Sequence, residues 1–502
     1  MMDGNRGLII EEPLIFEQGA PDKTGVDLAD APRVADRLGG LARRAPIGLP
    51  GLSEPEVVRH FTRLSQKNYG IDMGVYPLGS CTMKHNPRLN ERLARLAGFA
   101  DIHPMQPVST VQGALELIRI LADWIVKLTG MPAVAMSLGA GAHGELAGMM
   151  AIRAALAARG DARKTVLVPD SAHGTNPATA HMCNYAVESV PHNARGRVDL
   201  AALKARLGPD VAAFMLTNPN TCGLFEDEIL EQAEALHAAG AFFYCDGANF
   251  NALVGRVRPG DLGIDCMHLN LHKTFSTPHG GGGPGSGPVC LSAELAPFAP
   301  LPWVVAGKDG LRLAETVEDA AALGATPYGR MKGFHGQMGM YVRALAYMMS
   351  HGKDGLLQAS SDAVLAANYV RARLKDVMTA FHDGLCMHEC LFTDDFLDGT
   401  GVTTLDFAKA MIDAGEHPMS MYFPLIVHGA YLIEPTESES LDSLDGLVAT
   451  MRGLAERATK GDAEFFKGAP RLAPRRRLDE TRAARHPVLR WQPEKKTGQA
   501  AE

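Results

Sequence analysis

The chemistry of this 502-residue sequence concentrates in a few short runs. Asp246 closes the apolar run AFFYCD, and Lys273 follows the next strand-like run, MHLNL, 27 residues later. That interval holds one crossover between neighbouring strands, so both side chains are expected at one cleft. A lysine amine condenses with an aldehyde, and a carboxylate opposite a pyridine nitrogen keeps the ring an electron sink. Together they suit pyridoxal 5'-phosphate. Ahead of them, Gly139-Ala-Gly141-Ala-His143-Gly144 matches GxGxxG and opens a helical stretch, where backbone N–H groups and the helix N-terminus favour a phosphate. Asp170 closes the following strand about where a dinucleotide-binding fold places its ribose carboxylate, so a dinucleotide oxidoreductase is a rival reading. Such an enzyme has no need of the Lys273–Asp246 pair.

Two further residues fit the first reading. His173, in Asp170-Ser-Ala-His-Gly-Thr-Asn-Pro177, follows the strand-like TVLVP and presents an imidazole able to stack on a pyridine face. Asn218 ends VAAFMLT and can hydrogen-bond a ring hydroxyl. The run Pro278-His-Gly-Gly-Gly-Gly-Pro-Gly285 lacks the GxxxxGK[ST] order of a P-loop, and its glycines permit close backbone approach to a ligand or another chain. Cys386-x-His388-x-Cys390 is the nearest approach to a metal tract, but no second ligand cluster follows it, and no metal is expected.

The elements that must position these groups alternate. AVAMSL, TVLVP, VAAFMLT, AFFYCD, MHLNL and PVCL are short β-type runs, separated by helical segments such as 144–159 and 226–239. This pattern predicts an α/β fold with a large, mixed but mostly parallel sheet and helices on both faces, ligands sitting beyond the carboxyl ends of the strands. Ahead of it lie an amphipathic helix from about Ser53 to Gln66, with Glu56 at the capping-box position, and a long helix from about Ser109 to Leu128. Helices over 330–347, 361–377 and 439–458, with a segment at 403–414, predict a smaller α+β region. The expected organisation is an arm with one helix (1–75), a large cofactor domain (76–330), a small α+β domain (331–460) and a solvated or surface-draped basic tail (461–502) carrying Pro474-Arg-Arg-Arg477.

Composition narrows the partners. Lys plus Arg is 49 against 57 Asp plus Glu, a net charge of −8, which argues against nucleic acid or an anionic membrane. No window approaches 18 uninterrupted apolar residues. Eight cysteines without a CxxC pair, and an opening stretch unlike a signal peptide, predict a reduced cytoplasmic setting.

The motifs Tyr76-Pro-Leu-Gly-Ser80-Cys-Thr82-Met-Lys84, His173-Gly-Thr-Asn-Pro177 and Asp246-Gly-Ala-Asn249 resemble the P-protein of the glycine cleavage system. So do His268-Leu-Asn-Leu-His272-Lys273-Thr-Phe-Ser-Thr-Pro-His-Gly-Gly-Gly-Gly283 and Tyr422-Phe-Pro-Leu-Ile with Glu434-Pro-Thr-Glu437. The resemblance runs from about Leu14 to Trp491, and the length matches the lysine-bearing half, subunit 2, of a split enzyme. It implies the aspartate-aminotransferase type of fold (fold type I) and decarboxylation of glycine with transfer of the aminomethyl group to the lipoyl arm of H-protein. It also implies a companion subunit 1, two copies of each chain. By the same resemblance Lys273 bonds the cofactor aldehyde, Asp246 faces the pyridine nitrogen and His173 the ring. Ala142 and His143 would meet the phosphate, Asn218, Ala248 and His272 complete the cofactor site, and Ser80 and Thr82 touch the substrate. Tyr328 before Gly329, where Ile is the family pattern, and Gln337 in place of Asn are departures. Another pyridoxal-phosphate reaction, of aminotransferase or aldolase type, is the alternative.

Overall fold

The computed structural model describes residues 11–279 and 285–492, apart from positions 21, 22, 27, 30, 31, 33, 36 and 46. Gly280–Gly283, expected to approach a ligand or another chain, lies outside the described residues. The chain divides into two compact units, Met1–Gly70 with Gly468–Glu502, and Ile71–Lys467.

In the first unit, helix α1 (Glu54–Ser65) starts as its sequence predicts: the Ser53 N–H and hydroxyl both donate to Glu56 Oε2, at 2.8 and 2.9 Å. Glu12 sits against this helix, taking Arg63 Nε at 2.6 Å and lying 2.9 Å from His60 Nδ1. Those contacts, Arg63 foremost, hold its carboxyl down at about 2. Tail residues drape on the arm. Trp491 stacks on Phe16 with centroids 5.3 Å apart, and Arg475 pairs with Glu11 at 2.5 Å.

The second unit is built on a seven-stranded sheet: β1 (Ala133–Ala135), β2 (Thr165–Pro169), β3 (Ala186–Val190), β4 (Val211–Thr217), β5 (Phe242–Gly247), β6 (Cys266–Leu269) and β7 (Val289–Leu291), in the order β1-β7-β6-β5-β4-β2-β3. The pairs from β3 to β6 are parallel, while β7 is antiparallel to both β6 and β1. Every residue of β2, β4, β5, β6 and β7 is buried, the mark of strands covered on both faces. Successive residues serve opposite cores. Phe214 and Phe243 pack with Ile118, Leu121 and Ile125 of helix α2 (Gln112–Thr129), whereas Met215 and Tyr244 pack with Met149, Ile152 and Leu156 of helix α3 (Gly141–Ala158). Helices α4 (Thr175–Met182) and α5 (Ile229–Ala238) fill two of the crossovers.

Three expectations change here. Strand β3 has no apolar run: Glu188 sits mid-strand at the sheet edge, where only one neighbour pairs and burial is incomplete. The two helices expected over 330–347 and 361–377 are one span, α6 (Met338–Leu374), broken at Gly352 (φ +60°, ψ −170°), with 330–337 irregular. The expected boundary at residue 330 falls inside this unit, which also holds a four-stranded antiparallel sheet, β8 (Thr379–Ala380), β9 (Cys390–Thr393), β10 (Ser420–Met421) and β11 (Tyr431–Ile433), and helices α7 (Thr404–Asp413) and α8 (Leu441–Thr459). The 76–84 segment, assigned to the large domain from sequence, bonds to this smaller sheet. Leu78 bridges Ile433, Gly79 N–H donates to Leu432 O at 3.3 Å, and Glu434 N–H donates to Pro77 O at 3.2 Å. A side-chain carbon on Gly79 would lie 2.4 Å from Leu432 Cγ, so this approach requires glycine.

Candidate active site

Strand register sets the floor of the site. Thr217 of β4 pairs with Asp246 of β5, which pairs with His268 of β6, so the three side chains meet in a row at the carboxyl ends of the strands. Asp246 is buried and surrounded by donors. Ala248 N–H donates to Oδ1 at 2.9 Å, and His268 Nε2 lies 3.3 Å from the same atom. With its amide nitrogen turned toward them, Asn176 donates to Asp246 Oδ2 (3.2 Å) and Glu145 Oε1 (3.3 Å). His268 Nε2 faces two acceptors, Asp246 Oδ1 and Asn270 Oδ1, so it carries the proton, and Nδ1 accepts from Tyr244 Oη at 2.5 Å. Burial keeps that imidazole neutral by lowering its pKa, against the opposing pull of Asp246. Glu145 is buried beside Asp246, and loss of hydration with the facing negative charge pushes its pKa up to about 8.

Lys273 stands on a short helical turn, Leu271–Thr274, directly after β6, and its Nζ donates to Ser80 O at 2.7 Å. This contact brings the 76–84 segment to the lysine. One cleft with about 500 Å3 of empty space is lined by Ser80, Ala142, Glu145, His173, Asp246 and Lys273, among others. Ala248 and His268 also line it.

The glycine-rich turn enters α3, whose first N–H groups have no intrahelical partner. Gly139 N–H donates to His143 Nδ1 at 3.2 Å. A side-chain carbon on Gly139 would lie 3.4 Å from Lys332 Nζ, which places a cation beside the turn. Lys332 in turn donates to Gln337 Oε1 at 3.1 Å, while Gln337 Nε2 donates to Leu138 O at 2.8 Å. The departure at residue 337 thus holds both the lysine and the backbone entering the turn. His173 Nδ1 accepts from Thr175 N–H at 3.2 Å, which leaves the proton on Nε2. Burial lowers its pKa, and Lys273 adds to the effect.

Of the residues expected from sequence, Lys273, Asp246, His173, Ala142, Ala248 and Ser80 line the cleft, whereas Thr82, His143, Asn218 and His272 do not. Thr82 is turned away: its hydroxyl donates to buried Glu434 at 2.5 Å. His272 packs edge-on against His279 and stays neutral, burial bringing its pKa down to about 3. Asn218 Oδ1 accepts from Glu226 N–H, but its Nδ2 is buried without a partner. Sequence reasoning missed Glu145, Asn176, His268 and Lys332. The period-two alternation that aligns His268 with Asp246 was the one available signal. The described residues contain one metal-sized grouping of His, Cys, Asp or Glu. It joins His388 to Glu389 and Glu434 and includes neither Cys386 nor Cys390.

These residues fit pyridoxal 5'-phosphate. The turn and Lys332 offer N–H groups and positive charge to a phosphate, Asn218 Nδ2 is an unspent buried donor, and Lys273 and Asp246 face one cleft. Fold and cleft together define a pyridoxal-phosphate enzyme of fold type I. The family model described as "Aminotransferase class-V" matches residues 144–300, and that described as "Glycine dehydrogenase, C-terminal domain" matches 359–467. A protein of Caulobacter vibrioides named "Probable glycine dehydrogenase (decarboxylating) subunit 2" is 66% identical over 98% of this chain and 94% of its own. One of the same name from Kosmotoga olearia is 48% identical over 95% and 99%. The solved structure of an inhibitor-bound glycine decarboxylase (P-protein) of the glycine cleavage system superposes with a TM-score of 0.69 at 22% identity, covering 83% of this chain and 93% of that one. The chain belongs to the glycine dehydrogenase (decarboxylating) subunit 2 family.

Proposed function

We propose that this chain is the cofactor-bearing half of a two-chain glycine decarboxylase. It removes the carboxyl group of glycine as carbon dioxide and passes the aminomethyl group to the lipoyl arm of H-protein, working with a companion subunit as two copies of each. The observation that carries the reading is Lys273 and Asp246 lining one cleft, Asp246 in β5 and Lys273 just after the neighbouring β6, in a chain 66% identical to a named subunit 2. Bound pyridoxal phosphate supplies an electron sink that accepts the electron pair left when glycine loses its carboxylate. Lys273 holds the cofactor through its amine. The Ser80 carbonyl, 2.7 Å from Nζ, would hold that amine at the cleft whenever it is free of the cofactor. Asp246 would meet the pyridine nitrogen, its carboxylate angle fixed by Ala248 N–H, His268 Nε2 and Asn176. His173, its proton on Nε2, would face the ring. The N-terminus of α3 and Lys332 would take the phosphate, and Asn218 Nδ2, a buried donor without a partner, would serve the ring hydroxyl.

The test is exchange of labelled bicarbonate into the glycine carboxyl group, with companion subunit and lipoylated H-protein present. Exchange that vanishes in Lys273→Ala is expected. Label transfer to an oxo acid acceptor in its place would assign the chain to transamination.

A further inference from the structure

Behind the Ser80 turn lies a cluster of titratable groups that plays no part in the roles given above. Glu389 and His388 immediately precede β9, and Glu434 immediately follows β11. All three are buried, with exposures of 0%, 1% and 0%. Ser80 and Thr82 have φ of +62° and +48°, a region that non-glycine residues enter at a cost, and a β-branched threonine at the greatest. The carboxylates hold both residues there. Ser80 N–H donates to Glu389 Oε2 at 2.8 Å, Thr82 N–H donates to Glu434 Oε2 at 2.9 Å, and the Thr82 hydroxyl donates to Glu434 Oε1 at 2.5 Å. Glu389 Oε1 and both ring nitrogens of His388 are buried without partners, and His388 Nε2 lies 3.6 Å from Glu434 Oε1. The ligand atoms fall within 4.8 Å of one another, a spacing that would also suit a cation. Three of the four carboxylate oxygens, however, already take hydrogens from Ser80 and Thr82, so the cluster is built around the turn.

We infer that Glu389 and Glu434, with His388 packed 3.6 Å from Glu434, form a buried clamp whose two carboxyls hold the Ser80–Thr82 turn in its left-handed conformation and so keep the Ser80 carbonyl on the Lys273 amine. These are positioning residues, acting on Lys273 through the backbone. Burial and the facing Glu434 raise the pKa of Glu389 well above the carboxylate range, which favours its neutral form. Its Oε2 accepts from Ser80 N–H in the neutral form, and glutamine would do the same.

The inference rests on Lys273 as the cofactor lysine, and the experiment separates the two claims. Apo-protein is mixed with pyridoxal phosphate at graded concentrations, quenched with borohydride at set times, and the adduct on Lys273 is counted by mass spectrometry. The limiting rate reports the aim of the amine, and the half-saturating concentration reports the phosphate cradle around Gly139–Ala142. Glu389→Gln should match wild type within about threefold in both. Glu389→Ala should lower the limiting rate tenfold or more with the half-saturating concentration little changed, rates being normalised to folded protein by circular dichroism. Thr82→Val, isosteric but without the hydroxyl, should slow it severalfold. Wild-type rates in both Glu389→Ala and Thr82→Val would overturn the clamp. So would Glu389→Gln failing like the alanine variant, or both kinetic constants falling together. No adduct on Lys273 in the wild type would instead sink the cofactor assignment itself.

Discussion

Lys273 and Asp246 were legible as a pair because the chemistry demands both and their spacing matches one crossover. Borohydride should therefore fix pyridoxal phosphate to Lys273 in the purified protein, with peptide mapping to any other lysine refuting the assignment. Asp246→Asn should lose turnover a hundredfold or more, about 2.7 kcal/mol of transition-state stabilisation, since a neutral amide cannot match a protonated ring nitrogen. Near-normal turnover with full cofactor occupancy would count against it. The partners of Asp246 were not legible. Glu145 reads as an ordinary helix residue, and only the fold sets it against a second carboxylate. Its pKa rises from an ordinary 4.5 in the unfolded chain to about 8 when folded. Between those values the folded protein holds a proton that the unfolded chain has released, so this group's contribution to stability falls as pH rises. In the apo-protein, denaturant titrations from pH 5 to 8 should show wild type losing ground to Glu145→Gln by at most about 1.4 kcal/mol per pH unit. A constant gap would mean that Glu145 is ionised throughout.

At the scale of elements, the strands buried on both faces were readable because double-sided burial writes continuous apolar runs, as in VAAFMLT and AFFYCD. Edge strand β3, half exposed around Glu188, writes no such run. The attachment of the 76–84 segment to β11 was equally hidden: the hydrogen bond from Ser80 to Glu389 spans 309 residues, beyond any local pattern. In the GxGxxG run, Gly144 is also required by close packing. A side-chain carbon on Gly144 would lie 2.3 Å from Gly287 O and 3.1 Å from His268 Cβ, and a backbone oxygen has little room to yield. Gly144→Ala should shift the N-terminus of α3 away from the strand ends, destabilise the protein by about 1–3 kcal/mol and weaken pyridoxal phosphate binding at least tenfold. Thermal unfolding and cofactor absorbance titration measure both. Tight binding with an unchanged melting temperature would show that the helix tolerates the methyl group.

For the whole molecule, the fold and the core of the site come from this chain, but the arm points to a further chain. Val26, Leu28, Val34, Leu41, Ile47 and Leu49 are 68–87% exposed, more apolar side chain than one short segment ordinarily leaves to water. A net charge of −8 neither favours nor opposes a protein partner. Among the described residues no helix is long and apolar enough to cross a membrane. Together with the proposed two-chain enzyme, this predicts a chain that binds its cofactor alone but turns over poorly alone. Bicarbonate exchange should rise as companion subunit is added and level off at one companion per chain, while light scattering gives the mass of two copies of each. Replacing Leu28 and Leu41 together with glutamate should raise the companion concentration needed for half-maximal exchange, leaving the adduct on Lys273 intact. Full exchange by this chain alone, unchanged by added companion, would establish a self-sufficient enzyme whose exposed arm serves contacts between its own copies.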